Sequence, residues 1–190
     1  MAFVNMFADR GLDSCYRFAR MGVRRLVGCG CLLIAATATS AAHAGDLLAE
    51  ARYADLLPGT GLRASSEQFG SANVANVEQS GDRNTLSLLQ HGSAQTASLS
   101  QSGLDNQIAL RQVGMENEIL ASQSGLENRA SIYQRGDHNR VELEQAGRNN
   151  EAAIAQVGQA NFTEVTQLGE RGKVNLTVTG DHRVVRVTQW

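Results

Sequence analysis

The sequence predicts an all-β protein: a β-solenoid of cross-β-like stacked coils of about 22 residues, with two short strands per coil, behind an N-terminal signal peptide. Three observations predict it. A Gln-x-Gly-x-x-Asn phrase returns every eleven residues from Gln68 onward without a slip of register. The seven residues between phrases alternate with period two, and no insertion interrupts the series.

The phrase begins at Gln68, Gln79, Gln90, Gln101, Gln112, Gln123, Gln134, Gln145, Gln156 and Gln167, and Gln189 resumes it beside Trp190. Two residues after each of the first ten stands a glycine: Gly70, Gly81, Gly92, Gly103, Gly114, Gly125, Gly136, Gly147, Gly158 and Gly169. The third position holds Asn73, Asn84, Asn106, Asn117, Asn128, Asn139, Asn150 and Asn161, with Gln95 once in place of Asn. The glycine-containing gap reads as a turn that needs a permissive backbone.

Between turns, Asn106 to Gln112 shows the rule: Asn106, Ile108, Leu110 and Gln112 on one face, Gln107, Ala109 and Arg111 on the other. Eleven inward aliphatic or Thr pairs follow it, from Ala75/Val77 through Thr163/Val165 to Val185/Val187, so eleven strands are expected. Two strand–turn units close a coil, and each strand then stacks on the one two units later. The competing arrangement is a flat antiparallel meander. Outward charges favour the coil: Arg129, Glu151 and Lys173 alternate in sign at coil spacing, with Arg140 over Glu118 and Arg186 over Glu164. Glu142 beside Glu164 dissents.

A formal charge of −2 and 5% aromatic residues exclude a strongly basic nucleic-acid binder and a large globular core. A solenoid needs only a narrow strip of aliphatics, each contributing roughly 1.5–3 kcal/mol when buried. Inward Asn and Gln are costly if unpaired, but stacked in register they bond along the axis as amide ladders. The expected core is half apolar strip and half amide ladder.

The first 44 residues read as a secretory signal: Arg24 and Arg25, an apolar run from Leu26 to Ala36, and the small-x-small site Ala42-His43-Ala44, with cleavage after Ala44. Met21 is an alternative start. Leu26 to Cys29 imitates a lipoprotein box, yet no apolar run precedes it. Cys15, Cys29 and Cys31 all precede the cut, so export does not serve disulfide formation. The exported chain keeps twelve basic and seventeen acidic residues, a charge near −5.

Residues 45–67 lie outside the strict repeat and read as an export or targeting segment, flexible or a short amphipathic helix over Asp46 to Leu57, broken by Pro58-Gly59. At the other end the last coil, 172–190, is atypical. Gly172 stands where Asn is due, Val178 where Gln is due, and Arg183 at the next Asn position. Two readings compete: a terminal cap, or a binding element using Arg171, Lys173, Arg183 and Arg186 against an acidic remainder.

Catalytic and metal chemistry find no footing. His91, His138 and His182 sit in turns without a nucleophile constellation, and the exported chain has no Cys. Asp82 and Asp137 only faintly resemble calcium-binding turns, and the glycines form no phosphate loop. No cofactor, metal, nucleic acid or small-molecule substrate is expected, and an enzymatic or glycan-binding β-helix is the remote alternative.

Both ends of such a stack are sheet edges, and Pro58, the sole proline, lies outside the repeats. Unblocked edges invite continuation by another copy. The residues Gln145-Ala146-Gly147-Arg148-Asn149-Asn150-Glu151-Ala152-Ala153-Ile154-Ala155-Gln156 resemble the repeat of curlin subunits, which form bacterial curli amyloid. The resemblance runs from Gln68 to Trp190, and the ending Val184 to Trp190 is similar to the minor, nucleating curlin subunit. It implies an extracellular, pilus-like fibre of biofilm and adhesion type, and export through an outer-membrane pore with accessory factors. It also implies a surface-held subunit that templates the major curlin; the alternative is the major subunit itself. Eleven strands exceed the ten of a five-repeat subunit.

Overall fold

The computed structural model describes residues 61–190 and the backbones of β1 (Val27–Gly28), β2 (Cys31–Ala38) and β3 (Ala49–Tyr53). The Arg24-Arg25 pair, the cut after Ala44 and the Pro58 break lie outside the described residues. The solenoid opens with β4 (Arg63–Ser71), β5 (Asn73–Asp82), β6 (Thr85–Ser93) and β7 (Thr96–Leu104). Its middle is β8 (Gln107–Met115), β9 (Glu118–Leu126), β10 (Arg129–Arg135) and β11 (Arg140–Arg148). It closes with β12 (Glu151–Val157), β13 (Phe162–Glu170), β14 (Lys173–Thr179) and β15 (Val184–Gln189).

Even strands β4 to β14 form one parallel sheet and odd strands β5 to β15 the other, giving six coils. Each strand lies on the one 22 residues later with phrase on phrase: Gln90 faces Gln112, and Gly92 faces Gly114. The expected coil is therefore the observed one, and the antiparallel meander is excluded within the repeats. Parallel pairing follows from closing each coil with two turns, because every second strand then runs the same way.

Three sequence expectations change. The stack begins at Arg63 rather than Gln68, and β4 makes twelve strands where eleven were expected. Leu62, only 1% exposed, fills the inward position that Asn holds in later coils, so the first strand keeps the alternation with no phrase ahead of it. Third, Ala49–Tyr53, inside the stretch read as flexible or helical, is a strand antiparallel to β4, and β2 pairs antiparallel with β5.

Outward charges stack as the coil requires. Arg140 reaches Glu118 at 2.8 Å, Lys173 reaches Glu151 at 2.9 Å, and Arg186 reaches Glu164 at 2.9 Å. Glu142 does lie beside Glu164, but Arg140 also bonds Glu142 within its own strand and relieves the repulsion. All these groups are well exposed, so each pair contributes at most a few tenths of a kcal/mol.

Candidate functional site

Strand alternation carries the amides inward, and the 22-residue register sets them one above another. In the odd sheet Gln79 Nε2 donates to Gln101 Oε1 at 2.7 Å, Gln101 to Gln123 at 2.9 Å, and Gln123 to Gln145 at 2.6 Å. Gln145 donates to Gln167 at 2.8 Å and Gln167 to Gln189 at 2.9 Å. The even sheet repeats the device from Gln68 through Gln90, Gln112 and Gln134 to Gln156. The second amide hydrogen of these glutamines goes to a backbone carbonyl across the coil, as Gln112 Nε2 does to Thr96 O at 3.2 Å. Every glutamine from Gln79 to Gln167 in these two columns is buried.

The asparagines work differently from the glutamines: they bond chiefly to backbone. Asn106 Nδ2 donates to Ser102 O within its own turn and to Gly125 O in the coil beyond, while its Oδ1 accepts the Asn128 amide N–H at 3.0 Å. Asn73, Asn84, Asn128, Asn139, Asn150 and Asn161 follow the same pattern, each accepting from or donating to the next coil. Asn117 joins them through Gly136 O. Gln95 makes the two donor contacts, to His91 O and Gly114 O, but its longer side chain leaves Oε1 without a partner among the described residues. Gln79 Oε1 is another such buried acceptor.

The turn glycines are held by close approach as well as by backbone angle. Gly103 has φ +107°, and a Cβ there would run into the carbonyl oxygen of Gly125. Gly70, Gly81, Gly92, Gly114, Gly125, Gly136, Gly147 and Gly158 meet the same neighbour in the next coil; Gly169 does not, since only Trp190 lies beyond it. Gly180, which the altered phrase at Val178 hid, is the next member with φ +99°.

Sequence reasoning missed a second turn feature. The residue before each Asn position adopts φ of 52–58° in all eleven corners from Ala72 to His182, although none of the eleven is glycine and only Asp105, His138, Asn149 and His182 are types enriched in this region. Neighbouring coils impose the angle, as in the bond from Ala94 N–H to Ser71 O.

The last coil departs from rule in an orderly way. Val178 is buried and ends the even ladder, and Gln156 Nε2 turns instead to the buried hydroxyl of Thr163 at 2.7 Å. Arg183, read as a charge at an inward position, is in fact exposed because no coil covers it. Its backbone N–H still accepts its place in the column by donating to Asn161 Oδ1. Of the four basic candidates, Lys173 and Arg186 are tied into ion pairs with Glu151 and Glu164, and Arg186 also lies 5.5 Å from the Phe162 ring. Arg171 and Arg183 are exposed and make no ion pair among the described residues.

Elsewhere the surface is shallow. The recesses are open grooves on the sheets, the first lined among others by Ser98, Ser100, Leu120, Ser122, Arg140 and Glu142, and Glu142 there is tied to Arg140 rather than to a hydroxyl. Among the described residues no group of His, Cys, Asp or Glu is placed to hold a metal ion. Arg83 and Asp105 form a two-bond pair at 2.7–2.8 Å between successive turns, and that hydrogen bonding holds the Asp105 carboxyl below its ordinary range.

The curlin associated repeat matches residues 81–114, 114–147 and 136–169 of the chain. No curated protein and no solved structure gives a significant match. These matches lie over residues 81–169, within the stacked coils, and mark a similarity to that repeat family.

Proposed function

We propose that this chain, built on curlin associated repeats, is a subunit of an extracellular curli-type amyloid fibre, and that it acts as the surface-held minor subunit that starts growth of the major one. The observation that carries the reading is the amide ladder: a column of glutamines that runs through the odd sheet from Gln79 to Gln189. Stacked coils with such a ladder are one copy's share of a cross-β fibre, and end-on addition extends it by the same bonds. Six coils without an insertion leave no loop on which an active site would be built.

The minor-subunit reading rests on the last coil. It ends one amide ladder, exposes Val184 at 62% and Trp190 at 88%, and presents Arg171 and Arg183 unpaired by any described acid. Such an end is poor for stacking and suited to an acidic partner or an anionic surface. On this reading the chain is cleaved after Ala44, exported through an outer-membrane pore that recognises residues 45–67, and retained at the cell surface.

Seeding tests it. Purified chain from Gly45, added at substoichiometric amounts to the major subunit, abolishes the lag of dye-binding fibre growth. A lag that persists with intact seed contradicts nucleation. Deleting 172–190 leaves fibre formation in vitro and releases the chain from cells into the medium. A truncated chain that stays cell-bound makes the last coil a cap, and one that cannot assemble places growth at the wrong end.

A further inference from the structure

The two broad faces of the solenoid carry opposite charge. Up to the turn glycines, the outward positions of the even sheet hold Arg63, Arg111, Arg129, Arg135 and Lys173 against Glu67 and Glu151, five less two or +3. Those of the odd sheet hold Arg140 and Arg186 against Glu78, Glu118, Glu142, Glu144 and Glu164, two less five or −3. Much of this charge is unspent. Arg111, Arg129 and Arg135 make no ion pair among the described residues, and Glu118 and Glu142 share the one guanidinium of Arg140. Resting on the fibre-subunit reading, we propose that neighbouring filaments pack side by side, the even face of one against the odd face of the next, one coil out of step.

Relief matches charge. On the even face Leu89, Arg111 and Tyr133 stand in one row across three coils, all long side chains. On the odd face the small Ser98, Ser100 and Ser122 leave an open groove around Leu120 and Glu142.

The step follows from the register. Within a coil the two strands run opposite ways, since Gln112 near the end of β8 donates to Thr96 O at the start of β7. The same holds where neighbours with a common axis direction meet, so the end of an even strand falls opposite the start of an odd one. Level with level, Arg135 of β10 would face Arg140 of β11. Advancing the neighbour by one coil removes that repulsion. Arg111 of β8 then falls opposite Glu142 of β11, His91 of β6 opposite Glu118 of β9, and Leu89 opposite Leu120, with no like charges opposed. A step the other way sets Arg111 on Ser98 and Glu142 on Ala155, leaving both charges without a partner. One face measures about 29 by 23 Å, six coils at roughly 4.8 Å by seven residues at roughly 3.3 Å, so a contact covers about 650 Å² per copy. That is small for a stable pair of single chains and becomes strong when a filament repeats it.

Filaments grown from the chain starting at Gly45 test the pairing by bundle width in electron micrographs and by low-speed sedimentation. Dye-binding growth is the control for assembly. The unaltered filaments should bundle at low salt and separate as salt rises. Arg111→Glu and Glu142→Lys should each cut the bundled fraction at least about fivefold, because like charges then face each other, without slowing growth. A one-to-one mixture of the two variants' filaments should bundle again, as should filaments of the double variant, because each reversed face then meets a complementary one. Leu89→Cys and Leu120→Cys filaments, mixed under mild oxidation, should form a disulfide between copies, since the exported chain has no other Cys. Leu89→Cys with Asn76→Cys should not. Filaments that stay single at low salt, a mixture that stays dispersed, or equal crosslinking through position 76 overturns the pairing. So does an Arg111→Glu chain that bundles normally but loses binding to a soluble polyuronate, which would make the even face a polyanion site. A chain that forms no filaments overturns the fibre-subunit reading instead, and the disulfide between concentrated soluble chains then decides the face pairing by its presence or absence.

Discussion

Replacing Gln101 and Gln123 by Ala, singly and together, tests whether the buried amides act as one ladder. Alone, Gln101→Ala deprives Gln123 Oε1 of its donor and Gln79 Nε2 of its 2.7 Å acceptor. Alone, Gln123→Ala strands Gln101 Nε2, which keeps only the 3.3 Å bond to Thr85 O, and leaves Gln145 Oε1 without a donor. Each stranded buried group costs about 1–3 kcal/mol, so each single change, which strands two, should cost roughly 2–6 kcal/mol. The double variant strands only Gln79 Nε2 and Gln145 Oε1, the outer partners, because the bond between the two sites disappears from both sides. Its cost should therefore fall short of the sum by the two groups that no longer exist, about 2–6 kcal/mol. Denaturant unfolding of the chain from Gly45, followed by circular dichroism, reads the cycle. The same substitutions at Ser98 and Ser122, on the outward face, should each change stability by less than about 0.5 kcal/mol. Additive costs at the glutamines, or serine effects of equal size, would refute the ladder.

Further predictions concern single positions. Gln95→Asn should stabilise the chain by about 1 kcal/mol in the same unfolding assay, because the shorter amide removes a stranded Oε1 and restores the bonding of its column. Gly103→Ala should destabilise by more than about 2 kcal/mol, since its Cβ would run into Gly125 O and displace the carbonyl to which Asn106 Nδ2 donates. The folded pKa of Asp105 is depressed by Arg83, so the pair's contribution is present above the ordinary Asp range and is lost as pH falls through the depressed value. An NMR titration should find the Asp105 midpoint below that of an unfolded peptide and returned toward it by Arg83→Ala.

The strict period made the architecture legible. Gln and Gly at fixed spacing force one register, and the alternation around Ile108 and Leu110 names the buried face. What stayed hidden depends on neighbours that a single repeat does not contain. The positive φ before each Asn is imposed by adjoining coils on residues as unlike as Arg83, Ala94 and Glu127, so composition carries no sign of it. The first strand was missed because Leu62 and Ser66 replace the residues that mark later coils. Arg183 was misjudged because an inward position is a burial site only if a coil follows. Thr163 reads as one more small inward residue until the loss of an amide at Val178 gives its hydroxyl a partner in Gln156. The stretch around Ala49, read as flexible or a short helix, is a strand whose backbone pairs with the edge the first coil offers.

The most direct measurement is the mass per length of single unbundled filaments grown from the chain starting at Gly45. Six coils at roughly 4.8 Å each give one copy per about 29 Å of fibre. That value is the predicted result. One copy per about 58 Å, the length of twelve strands laid singly along the axis at the same spacing, would contradict the coiled stack.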